Sequence, residues 1–310
     1  MEKKPLISVT IATYNRAHLL PRAINSVLNQ TYNNFELIIV DDCSTDNTEE
    51  VIKSFQDKRI VYYKHEKNKG YLSARNTGWN LARGKYNCQL GDDDELFSNA
   101  LETIVTKFNE LTEQAVRFLW FDIINAETGI VSSHGLQKEG FITYEDILSG
   151  KLQGDNWQAL DMDFIGQNRF DNRWWGADGI LWLRFLRKSR AYYVPKVLYK
   201  AYREHGGVRE SNVNRVNFIN HFIGVYLYEK AFLEENGADL KRLRPSIYGQ
   251  RLHQFGWYQI INREISKGRK TLYTSFKFHF SLKYFILFLL SFILNTKKLK
   301  IFYIKFFNIG

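Results

Sequence analysis

The stretch "LISVTIATYNR", residues 6–16, opens the regular structure of the chain and decides what kind of sheet follows. Its first seven residues are apolar or β-branched apart from Ser8, the pattern of a strand buried on both faces of a parallel sheet. A second run, "FELIIVDD" at 35–42, is separated from it by "RAHLLPRAINSVLNQT" at 16–31, where Leu, Ile and Val recur at helical spacing. Further out, "DDCSTDNTEEVIKSF" supplies a turn and a helix start, "RIVYYK" (59–64) a third strand, "YLSARNTGWNLARG" (71–84) a helix and "KYNCQL" (85–90) a fourth strand. The order βαβαβαβ predicts a right-handed α/β sheet whose functional loops gather at the carboxyl ends of its strands.

The loop after the first strand narrows the function. "ATYNRAHLL" contains no glycine, so neither GxGxxG nor GxxxxGK[ST] is present, and no backbone cradle for phosphate forms there. A Rossmann dehydrogenase and a nucleotidylyltransferase both lose their phosphate-binding device. Another source of positive charge is needed, and "LGDDDELFSNAL", residues 90–101, supplies carboxylates that can hold one. Three adjacent aspartates, Asp92, Asp93 and Asp94, repel one another unless they are solvated, cap a helix or surround a cation. One cap, from Asp94 or Ser98 onto a helix predicted at 99–111, uses one aspartate. The remaining oxygens suit a hard divalent ion, Mg2+ or Mn2+.

Composition sets the outer bounds. A chain of 310 residues at 45% hydrophobic content has material for a substantial core. Its two cysteines, Cys43 and Cys88, belong to no CxxC or zinc-like spacing and read as small buried residues in a reducing compartment. The apolar run at 6–12 is too short for a signal peptide and is broken by Ser8 and Thr10, so the catalytic part is expected in the cytoplasm. The net charge of +10 is localised: residues 265–310 carry nine Lys or Arg and no Asp or Glu. There the apolar stretch 284–294, interrupted only by Ser291, falls short of the ~20 residues that span a bilayer. Lysines and aromatic rings around a short apolar run fit an element lying in the membrane interface, or a terminal helix packed on the body of the protein or on a partner. No zinc-finger, RNP or KH pattern accompanies the charge, so nucleic acid is not an expected partner.

Together "ISVTIATYNR", "NQTYNNFELIIVDDCSTDNT", "NKGYLSARNTGWNLARGKY" and "LGDDDELFSNAL" resemble the inverting glycosyltransferases of family 2, over residues 6–101. The resemblance implies an A-type glycosyltransferase fold, a single Rossmann-like mixed sheet flanked by helices, with a C-terminal helical, membrane-associating extension here. It implies a nucleoside-diphosphate-sugar donor, most often a UDP-sugar, and a divalent cation, Mn2+ or Mg2+, across the diphosphate. Carried over by position, Thr13, Tyr14 and Asp42 would hold the base with Asn15 beside them, Arg75 would lie near the nucleotide, Asp92 would face the ribose and Asp93 would ligate the metal. The chain departs from the pattern at Gly91, where many members carry an aspartate.

In the second half, "RFDNRWWGADGILWLRFLRKSRAYYV" (169–194) resembles the family stretch that places an acidic residue before a helix beneath the sugar, followed by a strand that closes the sheet. Asp178 occupies that position and is the candidate catalytic base; as a residue before a helix it also reads as an N-cap. Trp174 and Trp175 read as a sugar platform or as core. "YREHGG" (202–207) resembles a family pattern with a histidine near the metal, which makes His205 a candidate ligand. The expected organisation is a donor-binding half at 1–112, an acceptor-binding half of the same domain at 113–235 and a helical membrane-interface extension at 236–310.

"DDDELFSNAL", "WGADGILW" and the basic apolar tail resemble bacterial glucosyltransferases that extend lipid-linked oligosaccharides, some of them serving protein glycosylation. The expected acceptor is therefore polyprenyl-linked or a surface polysaccharide, at the cytoplasmic face of the cell membrane. A reading from another class is a catalytically idle nucleotide-sugar-binding subunit in a membrane glycan-assembly complex.

Overall fold

The computed structural model describes residues 7–174, 178–203 and 218–293 together with Leu299, with side chains from residue 223 onward in the third stretch. It divides into two compact units, one of Met1–Asn172 with Leu181–Gly207 and one of Arg173–Ile180 with Val208–Gly310.

The chain runs β1 (Ile7–Thr13), α1 (Leu20–Leu28), β2 (Phe35–Asp41), α2 (Thr48–Ser54), β3 (Ile60–Lys64), α3 (Tyr71–Leu81) and β4 (Tyr86–Gln89). It continues through β5 (Glu95–Leu96), α4 (Ala100–Glu110), β6 (Phe118–Asn125), β7 (Gly140–Ile142), α5 (Tyr144–Leu148), β8 (Asn156–Asp161), α6 (Met162–Ile165), α7 (Gly179–Lys188) and β9 (Ala191–Ala201). All nine described strands form one sheet in the order β3-β2-β1-β4-β8-β6-β9-β5, with β7 also paired to β9. The first four are parallel, as the alternation predicts. The sheet is mixed because β8 inserts antiparallel between β4 and β6, while β5 and β7 add antiparallel to β9.

Burial follows the sequence pattern. All seven residues of β2 are buried, which only a strand covered on both faces requires. Helix α1 turns Leu20, Ala23, Ile24 and Val27 into the core at i, i+3, i+4 and i+7. It is shorter than the periodic stretch 16–31 because Pro21 sits in its first turn and the preceding residues form a loop. Neither Asp94 nor Ser98 caps α4; its N-cap is Asn99, which makes no side-chain cap bond. Cys88 is buried as expected, whereas Cys43 is only half-buried and adopts a left-handed φ of 70° in the turn after β2.

The order β3-β2-β1-β4 places the site. From β1 the chain winds to β2 and β3 on one side and then returns to β4 on the other, so consecutive crossovers diverge at the carboxyl ends of β1 and β4. That is the topological switch point, where open α/β sheets leave a crevice. Thr13 ends β1 and the aspartate triplet follows β4.

The second unit is helical: α8 (Phe218–Leu243), α9 (Pro245–Ile261), α10 (Ile265–Ser275) and α11 (Leu282–Leu290). Helix α8 runs without a break through residue 235, the expected boundary. A core of Trp257, Tyr258, Ile260, Leu272, Leu287 and Leu299 joins α9, α10 and α11. Helices α9 and α10 meet backbone to backbone: a Cβ on Gly268 would stand 2.5 Å from the carbonyl oxygen of Gly256. Among the described residues no helix is long and apolar enough to cross a membrane.

Candidate functional site

The crowded triplet is resolved by splitting it among different partners. Asp92 is almost fully buried; its Oδ2 accepts the Thr13 hydroxyl at 2.8 Å, a bond that bridges the crevice between β1 and β4. Its Oδ1 accepts from one amino group of Arg16 at 2.8 Å, and the other amino group donates to Asp93 Oδ2 at 2.5 Å. A single guanidinium thus clamps two adjacent carboxylates. Arg22 adds a bond to the Asp93 backbone carbonyl and lays its guanidinium 3.5 Å from the centre of the Tyr202 ring. Asp94 turns away from this pair: its carboxylate accepts from the Tyr199 hydroxyl at 2.5 Å and from the Tyr202 N–H at 2.8 Å. Burial, then the neighbouring charge of Asp93, push the Asp94 carboxyl up to about 6, against the two bonds that favour its charged form.

Gly91 belongs to this arrangement. Its N–H donates to the Tyr199 hydroxyl at 3.0 Å. A Cβ at that position would stand 2.6 Å from Asp94 Oδ2 and 3.1 Å from the Tyr199 oxygen. The space that an aspartate would take at 91 is filled by Asp94 folding back, which gives a steric reason for the departure seen in the sequence.

The loop after β2 forms the other wall. Asp42 is buried; its Oδ1 accepts from the Lys69 N–H at 2.8 Å and faces His65 Nδ1 at 2.6 Å, while its Oδ2 accepts from the Gly70 N–H at 2.7 Å. A carboxylate accepts, which assigns a proton to His65 Nδ1; the other ring nitrogen lies 2.9 Å from the Thr77 hydroxyl. Asn15, in a left-handed conformation with φ 52°, joins the loops after β1 and β2: its N–H donates to Ser44 Oγ at 2.9 Å and its Oδ1 accepts from the Thr45 N–H at 2.7 Å. Tyr14 stands exposed beside it. Arg75 donates to Gln89 Oε1 at the end of β4 and stacks 4.1 Å from the centre of the Phe170 ring.

Two buried donors near the site, Arg22 Nε in α1 and Gln89 Nε2 at the end of β4, have no hydrogen-bond partner among the described residues. Unsatisfied buried donors are costly, and an acceptor-rich ligand such as a diphosphate would satisfy them. The donor set for a cation is two hard carboxylates already converging on one positive group. Among the described residues no three acidic, His or Cys side chains form a cage. A divalent ion held by one or two carboxylates and completed by substrate phosphates needs no such cage, so Asp92 and Asp93 fit it.

The structure brings together Thr13, Asp92 and Asp93, with Asn15 and Asp42 on adjoining loops. Asp178 lies in the second unit, directly before α7, where its charge helps raise the hydroxyl of Tyr228 to about 12, after burial and alongside Glu229. Trp174 is buried with Tyr228 against it edge-on at 6.0 Å, a core position. His205 and Trp175 lie outside the described residues. Sequence reasoning missed Arg16, Arg22, His65, Tyr199 and Tyr202. Of these only Arg16 carried a local signal, a basic residue directly after the "TYN" of the first loop.

A mixed sheet with flanking helices, an acidic cluster at its switch point and no glycine-rich phosphate loop define an A-type glycosyltransferase architecture. The chain belongs to glycosyl transferase family 2, whose profile matches residues 8–172. A GalNAc(5)-diNAcBac-PP-undecaprenol beta-1,3-glucosyltransferase of Campylobacter jejuni is 27% identical over 298 residues, which cover 94% of this chain and 95% of that protein. An Escherichia coli protein, UDP-Glc:alpha-D-GlcNAc-diphosphoundecaprenol beta-1,3-glucosyltransferase WfgD, is 34% identical over 186 residues, 59% of this chain and 71% of its own. In fold, the chain is similar to Staphylococcus aureus TarS, solved as residues 1–349 with UDP-GlcNAc: TM-score 0.65 at 17% identity, covering 87% of this chain and 88% of that one.

Proposed function

We propose that the chain transfers a hexosyl group, glucose foremost, from its UDP-sugar to a polyprenyl-diphosphate-linked oligosaccharide, with inversion, as a peripheral protein at the cytoplasmic face of the membrane. The observation that carries this reading is the near end-to-end similarity to an enzyme whose name states a glucosyl transfer onto an undecaprenyl-linked glycan. Thr13, Tyr14, Asn15, Asp42 and Arg75 would hold the nucleotide, Asp92 the ribose, and Asp93 with His205 a divalent cation. That ion, when bound, neutralises charge developing on the departing diphosphate. The chain's own groups do the rest: Arg22 and Gln89 offer buried N–H donors to an incoming anion, and Asp178 is the proposed base that takes the proton of the acceptor hydroxyl. Membrane contact would come from the exposed apolar side chains of α11 and the basic residues around it.

The test is release of nucleoside diphosphate from UDP-glucose, UDP-galactose, UDP-N-acetylglucosamine and GDP-mannose, each with an undecaprenyl-diphosphate oligosaccharide. Acceptor-dependent UDP release greatest with UDP-glucose is the expected result. Preference for another donor would overturn the glucosyl assignment, and no release from any donor would favour an idle binding subunit.

A further inference from the structure

Arg16 stands in the electrostatic seat that a divalent cation would take. Its two amino groups lie 2.8 Å from Asp92 Oδ1 and 2.5 Å from Asp93 Oδ2, while the two carboxylates are largely buried. An ion bound to those oxygens sits about 2.0–2.1 Å away if it is Mg2+, which would put it within a few ångström of the guanidinium, where like charges repel. A dication elsewhere on the same pair would still be repelled by a fixed positive group beside it. The clamp does not belong to a helix or strand: Arg16 lies in the loop between β1 and α1, and its side chain is 21% exposed. Once off the carboxylates, a guanidinium is a planar, bidentate phosphate ligand that carries its charge at any working pH.

We propose that Arg16 is a resident counter-cation that holds Asp92 and Asp93 until a divalent ion arrives with the donor, and then passes from the carboxylates to the donor's diphosphate. This rests on the proposed reading that Asp93 takes the cation and Asp92 the ribose, since either ligand displaces the guanidinium that now spans both carboxylates. The exchange offsets negative charge at each stage: an arginine offsets part of the carboxylate charge in the free enzyme, and a dication offsets part of the charge of carboxylates and diphosphate in the complex, with the arginine added to the phosphate side. Metal and nucleotide therefore bind with positive coupling, and coupling between two ligands is reciprocal. Metal offered alone must compete with Arg16.

The proposal predicts an unusual sign: deleting a positive residue should tighten metal binding while weakening nucleotide binding. The experiment is calorimetric titration of Mn2+ into the full chain with and without UDP, and of UDP at saturating Mn2+, for the parent, Arg16→Gln, Arg16→Lys and Asp93→Asn. Arg16→Gln should bind Mn2+ alone about tenfold or more tightly than the parent, and UDP about tenfold or more weakly. Arg16→Lys, whose single ammonium cannot span both carboxylates, should fall between them. Circular dichroism melts verify folding, and Arg16→Lys carries the comparison if Arg16→Gln does not fold. Mn2+ affinity in the Arg16 variants equal to or weaker than the parent's, with UDP-dependent Mn2+ binding intact, would overturn the proposal alone. Absence of Mn2+ binding by any form even with UDP would overturn the metal reading and the proposal with it.

Discussion

Asp178 illustrates how one side chain can be read as scaffold or as chemistry. It stands directly before α7 and beside Tyr228, whose hydroxyl also approaches to 3.1 Å of where a Cβ on Gly179 would be. Replacement by Asn keeps the volume and caps a helix about as well, so fold stability should change by less than about 1 kcal/mol. It removes the ability to take a proton, which costs on the order of 10²-fold or more in a transfer that needs a positioned base. Asp178→Asn should therefore melt with the parent and bind UDP equally while losing transfer; parental turnover, or loss of stability and turnover together, would show that Asp178 only builds the second unit. The crowding of Asp92, Asp93 and Asp94 is legible in the sequence because like charges in a row demand a reason. Its division is not legible. Arg16 reaches Asp92 and Asp93 across 76 and 77 positions, and Tyr199 and the Tyr202 N–H reach Asp94 across 105 and 108, distances at which no local pattern operates.

At the scale of elements, period and turn chemistry find β1 to β4 and the helices between them, most plainly where β1 and β2 bury a continuous run and α1 a 3.6-spaced apolar set. They do not find β5 and β7, two and three residues long, or the insertion of β8 between β4 and β6, because antiparallel pairing is chosen by tertiary partners rather than by the strand itself. Helix α9 holds an element-level liability of the same hidden kind. His253 is fully buried, lies parallel to the Tyr284 ring at 4.6 Å, and neither ring nitrogen has a hydrogen-bond partner among the described residues. Burial first, and the nearby His279 second, hold its pKa down to about 4. The unfolded chain protonates this group near 6.5 and the folded one only near 4, so stability is lost as pH falls through that window, by up to about 3 kcal/mol. Glu229, raised by burial, titrates with the opposite sign, so the comparison must be between variants. His253→Phe keeps an aromatic ring against Tyr284 and should flatten the fall in melting temperature between pH 7 and pH 4.5. An identical pH profile in parent and variant would show that His253 takes up its proton alike in the folded and unfolded chain, relaxing out of the core as it does so.

At the scale of the whole molecule, charge and apolar exposure are segregated in the same stretch of chain. Leu282, Ile286 and Leu289 are exposed by 65%, 36% and 48%, at the i, i+4, i+7 spacing of one face of α11, and Ile293 in the turn beyond it by 78%, while Leu287 in the same helix is wholly buried. Phe280 and Phe292 extend the exposed set, and Lys270, Lys277 and Lys283 are near it in sequence. Deleting residues 271–310 would be a poor test of membrane binding, because it also removes Leu272, Leu287 and Leu299 from the core around Trp257 and Ile260. Point changes on the exposed face separate the two effects. Each Leu moved from water to an apolar phase contributes about 1.5–3 kcal/mol, and about 1.4 kcal/mol is a factor of ten in affinity. The double variant Leu282→Glu, Leu289→Glu should therefore bind phosphatidylglycerol vesicles on the order of 10²-fold more weakly in a flotation assay, with its melting temperature unchanged. High salt should weaken the parent only partly, since lysine–headgroup attraction is screened and apolar insertion is not. A double variant that floats as well as the parent would mean that this face meets a protein rather than a lipid surface.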